Sequence, residues 1–118
     1  MLMHALKNGV LVLTLDDDPG PAAQNTLAAL ISDLVHVHAP TPVVIVLGAA
    51  AAAAPAVIDE VLRAHRMCSR LDALISVATP SAPARRALET HATTAQGAGL
   101  VIHACTDTAI TTAYAAAA

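Results

Sequence analysis

Val43–Glu60 reads VVIVLGAAAAAAPAVIDE. An apolar run rich in β-branched side chains stops at Gly48. Val43–Leu47 has no polar alternation, so it reads as a strand covered on both faces. Six alanines follow, then Pro55, which suits the first turn of a helix. Val57, Ile58, Val61, Leu62, His65 and Cys68 then repeat at helical spacing. Strand, link and helix in this order make an α/β unit. The link, Ala49–Ala54, carries almost no side-chain chemistry.

The same alternation extends in both directions. Val10–Leu15 (VLVLTL) is a strand, and Asn8-Gly9 is a hairpin turn joining it to a short edge strand, Met3–Lys7. Asp16-Asp17-Asp18-Pro19-Gly20-Pro21 breaks regular structure. Ala22–His38 reads as a helix with a stripe of Leu27, Leu30, Ile31, Leu34 and Val35. Towards the C-terminus, Ala73–Ala78 is a third covered strand, and Thr79–Pro83 turns into a short helix, Ala84–His91. Leu100–Cys105 is the last strand, and a final helix runs from about Thr108 to Tyr114, capped by Thr106-Asp107. The expected order is β-β-α-β-α-β-α-β-α. It implies a mainly parallel sheet of four to five strands, an antiparallel edge strand and about four helices, in a single domain over residues 1–118.

Composition narrows the functions open to this chain. Its 118 residues are 56% apolar, yet Tyr114 is the one aromatic residue. The core must be aliphatic, and stacking on single-stranded nucleic acid is unsupported. The net charge of −3, with six Lys and Arg, lacks the basic footprint of nucleic-acid binding. Val43–Ile58 is too short to span a membrane, and Pro55 interrupts it. Met1–Asn8 has no cationic segment leading into an apolar one, so a cytoplasmic location is expected. Cys68 and Cys105 read as free thiols that pack like small hydrophobes.

Reactive residue types do not converge. His36-x-His38 lies at a helix end, where i and i+2 diverge. His65 and Cys68 share a helix face but have no further ligands at metal spacing. Asp16-Asp17-Asp18 lacks the spacing of a calcium loop. Gly97-x-Gly99 follows a helix and precedes a strand, the wrong order for a dinucleotide fingerprint. No nucleophile elbow is present. We therefore expect no catalytic set, no metal site and no cofactor.

Leu62–Leu88 reads LRAHRMCSRLDALISVATPSAPARRAL. Its basic helix end, its strand, and the turn through Ser81 into Arg85-Arg86-Ala87-Leu88 resemble the STAS domains, the sulfate-transporter and anti-sigma-factor-antagonist family. VLVLTL with its acidic turn, and Val101–Ala113, look like that family's opening strand and closing strand and helix. The resemblance implies a bacterial regulatory domain that binds an anti-sigma factor or a kinase-like regulator. In that family a Ser or Thr in an Asp-Ser-Ser/Thr-Gly motif is phosphorylated, which breaks the interface by added charge. An ungapped reading puts Ala54, Pro55, Ala56 and Val57 on that motif. Ala56 stands at the acceptor position and has no hydroxyl, so the phosphorylation site is degenerate. The implied partner-binding residues are Asp16, Asp17, Asp18, Ala53, Ala54, Pro55, Ala56 and Val57.

A second reading is a small-ligand-binding or scaffold domain of similar fold, with a pocket lined by Val44, Val46 and the Ala run. A third, an enzyme, needs His103, Cys105 and an acid in one cleft. A homodimer through sheet edges or helix faces is compatible with the sequence, which does not specify one.

Overall fold

The computed structural model describes residues 2–16, 21–39, 41–68, 74–94 and 100–117. Among these residues five strands form one sheet: β1 (Leu2–Lys7), β2 (Val10–Leu15), β3 (Val43–Leu47), β4 (Ile75–Ala78) and β5 (Val101–His103). They lie side by side in chain order. β1 and β2 are antiparallel, and every later pair is parallel. The α/β class, the mainly parallel sheet and the antiparallel edge are as expected from the sequence.

The helices are α1 (Pro21–His38), α2 (Ala49–Ala52), α3 (Pro55–Met67), α4 (Ala82–Thr94) and α5 (Thr106–Ala117). One of them, α2, is unexpected: four residues of the Ala run close a helical turn instead of a loop. The final helix also begins earlier than expected. Ala109 N–H bonds Cys105 O at 3.1 Å, so Cys105 is the cap, and Thr106 and Asp107 lie in the first turn.

Strand geometry sends alternate side chains to opposite faces. On one face Leu11, Leu13, Leu15, Val43, Ile45 and Leu47 pack under Leu27, Ile31 and Val35 of α1, Val57 and Val61 of α3, and Leu88 of α4. Each helix linking neighbouring parallel strands crosses over in the same hand, so all of these fall on the same side. The other face holds Val10, Val12, Val44 and Ala78, covered by Ala109, Ile110 and Ala113 of α5. β3 is thus covered on both sides, as its unbroken apolar run requires. No helix among the described residues is long and apolar enough to cross a membrane.

Candidate functional site

The C-terminal ends of parallel strands are where open α/β sheets keep their clefts. Here β3 leaves the sheet at Gly48, whose N–H bonds Leu15 O at 2.9 Å. A Cβ at Gly48 would lie 3.0 Å from Asp16 O and 3.1 Å from Asp16 Cα. The missing side chain lets the backbone of Asp16, just after β2, press against the start of the Ala run.

α2 follows at once. Ala52 N–H bonds Gly48 O at 2.9 Å, and Ala51 and Ala52 are buried against the larger core cluster. Alanine suits both demands, because it favours helix and lets backbone approach core. Ala53 ends the turn, and Ala54 is the N-cap of α3, extended at φ −91° and ψ 112° with no side-chain cap. Pro55 occupies the first turn of α3, where its missing N–H costs nothing.

Across from this corner, the chain leaves β4 through a built turn. Ser81 N–H donates to Thr79 Oγ1 at 3.3 Å, and Ser81 Oγ accepts from Ala84 N–H at 3.3 Å. Ser81 is therefore the N-cap of α4. Arg85 Nη1 donates to Thr79 O at 2.9 Å, tying the first turn of α4 back to the strand end.

A shallow apolar hollow of about 390 Å³ lies between the two corners. Ala52, Ala53, Pro55 and Ile58 form one wall, and Pro83, Ala84 and Ala87 the other. Asp59 and Ser81 supply the polar rim. Ala53, Pro55, Asp59 and Pro83 are exposed.

The eight expected partner-binding residues separate. Ala53 and Pro55 line the hollow, and Asp16 is exposed beside Gly48. Ala54 and Ala56 are half-buried. Val57 is fully buried in the core under α3, so its side chain is closed to a partner, which corrects its inclusion. Asp17 and Asp18 lie outside the described residues. The second wall, from Ser81 to Ala87, was not assigned to a site from sequence; the Thr-Pro-Ser-Ala-Pro turn was its visible signal.

Among the described residues, Val44 and Val46 are not brought together with the Ala run into the expected pocket. Val44 and Val46 pack with the cluster beneath α5, whereas Ala51 and Ala52 belong to the cluster on the opposite face.

The histidines and cysteines do other things. His36 Nδ1 donates to Ser32 O at 2.7 Å, one turn back in α1. Cys68 is buried, and its thiol donates to Ser32 Oγ at 3.7 Å, so it turns to α1. His65 is half-buried, and burial, helped by the Arg66 charge, holds its pKa below the ordinary value. His103 is half-buried, with a sheltered Nε2 that has no hydrogen-bond partner among the described residues. Cys105 is a free, exposed thiol, contrary to the expected burial. Backbone N–H groups of Thr108 and Asp107 at the start of α5, with the Thr108 hydroxyl, lower its pKa. Among the described residues, no group of three or more His, Cys, Asp or Glu is placed to hold a metal ion.

No family model matches the chain, and no curated protein or solved structure matches it.

Proposed function

We propose that this chain is a regulatory protein-interaction domain of the STAS type that docks a kinase-like anti-sigma regulator at the hollow between the Ala52–Ile58 corner and the start of α4. The observation that carries this reading is the hollow itself. Its walls are small, apolar and partly exposed, and they are set on helix ends fixed by the sheet. Such a surface lets a partner approach backbone closely and loses little side-chain entropy on binding. The resemblance places a switch on this corner, and Ala56 there has no hydroxyl to phosphorylate. Binding by this chain is therefore not turned off by phosphate at Ala56. The exposed Asp16 beside Gly48 biases the surface towards a basic partner.

The test compares wild type with Ala53→Arg, which fills the hollow from an exposed position. Recovery of a kinase-like regulator from native lysate by the wild type, and its loss with the variant, supports the reading. Equal recovery by both removes the hollow from the interface.

A volume of about 390 Å³ is also in the range of small-ligand sites. In that second reading the domain takes a small apolar ligand at the same place. A thermal shift with a library of apolar metabolites, absent in Ala53→Arg, separates it from protein docking.

A further inference from the structure

β1 is the long open edge of the sheet, and Met3 to Lys7 are exposed. Among the described residues no strand pairs with its outer side. It carries no proline, and its one permanent charge, Lys7, stands at the end. Open edges of this kind accept another strand.

The hydrogen-bonding pattern says which groups are on offer. Asn8 and Gly9 both have positive φ, 52° and 76°, which makes the connection a type I′ turn. Lys7 and Val10, the residues flanking it, then exchange both of their backbone bonds. Alternation along the pair turns the N–H and C=O groups of Leu2, His4 and Leu6 away from β2. Two bonds on the far side of β2 agree. Leu11 N–H donates to Pro42 O at 2.9 Å, and Leu15 O accepts from Gly48 N–H at 2.9 Å. Leu11 and Leu15, the register partners of Leu6 and Leu2, thus direct these groups towards β3.

We propose that a second copy of this chain pairs antiparallel along β1, about a two-fold axis at His4. In that register Leu2 faces Leu6 of the other copy, His4 faces His4, and Met3 faces Ala5. Every outward N–H and C=O of Leu2, His4 and Leu6 finds a partner. Leu6 is 59% exposed and Met3 54% exposed, and each gains an apolar neighbour on its own face of the sheet. Lys7 falls beyond the pairing, so no lysines oppose each other. An axis moved to Ala5 sets Lys7 against Met3 and gives up the Leu2–Leu6 contact. An axis between two residues pairs opposite faces of the sheets, which strand periodicity forbids. This self-complementarity is what a two-fold interface requires, and it points to a second copy as the occupant. The opposite edge, β5, is three residues long and does not propagate the assembly.

The test is the mass of the full chain by analytical ultracentrifugation over a concentration series. Wild type sediments as a dimer at high concentration. His4→Lys puts two like charges directly opposite and raises the dimer Kd about fivefold or more. Position 4 is exposed, so the heat-melting midpoint of the diluted monomer stays unchanged. His4→Glu alone dissociates likewise. An equal mixture of His4→Lys and His4→Glu forms a heterodimer tighter than either homodimer, a result specific to the His4–His4 register. A wild type that stays monomeric, a dimer untouched by His4→Lys, or a mixture that fails to recover overturns the proposal.

Discussion

At the scale of single residues, the corner after β3 depends on what side chains leave out. Gly48 has φ −67° and ψ 169°, which any residue can adopt, so its value is steric. Its would-be Cβ meets backbone of Asp16, which cannot rotate aside as a side chain could. Gly48→Ala should lower stability by about 1–3 kcal/mol, read from urea unfolding. A neutral result would show that the Asp16 backbone yields freely. Val57 teaches the converse. Its alignment with a functional motif in sequence suggested a contact, but the helical stripe it belongs to turns it into the core. The apolar period was legible at Val57 and outweighed the motif position.

At the scale of elements, the α3 N-terminus is under-built. Ala54 holds the extended cap geometry but offers no oxygen to the first-turn N–H groups. Ala54→Ser should raise stability by about 1 kcal/mol, seen as a higher urea midpoint with an unchanged slope. No gain would mean that the cap geometry does not admit a side-chain bond. At the other end of α3, the lowered pKa of His65 makes the fold favour its neutral form. That contribution is complete above the unfolded value of 6.5 and is lost as pH falls through the folded value. His65→Gln should flatten the fall in urea midpoint between about pH 7.5 and about pH 5.5; an unchanged profile would assign the acid sensitivity to other groups. The strands and long helices were legible because Val-, Ile- and Leu-rich runs and stripes have distinct periods. α2 was not, because a run of identical alanines has no period. Alanine serves a helix and a spacer equally well.

At the scale of the whole molecule, one sheet carries two unequal coats. Among the described residues, α1, α2, α3 and α4 link parallel neighbours on one face, and α5 covers the other. This follows from chain order and crossover hand, so the architecture was readable from the alternation of elements. The candidate site was only half readable. Ala53 and Pro55 were visible beside Gly48, but the wall from Ser81 to Ala87 comes from a βα junction about 30 residues later. No local pattern reports that two such junctions share a hollow; the adjacency of β3 and β4 brings them together. The wall positions are Ala and Pro, whose identities carry no chemical signature. The central claim is that this hollow is a protein-docking surface, and calorimetric titration of the recovered regulator against wild type and Ala53→Arg tests it most directly. The account predicts saturable binding by wild type and affinity reduced about a hundredfold or more in the variant, in line with a central interface residue. Equal affinities, with both proteins folded, would contradict it.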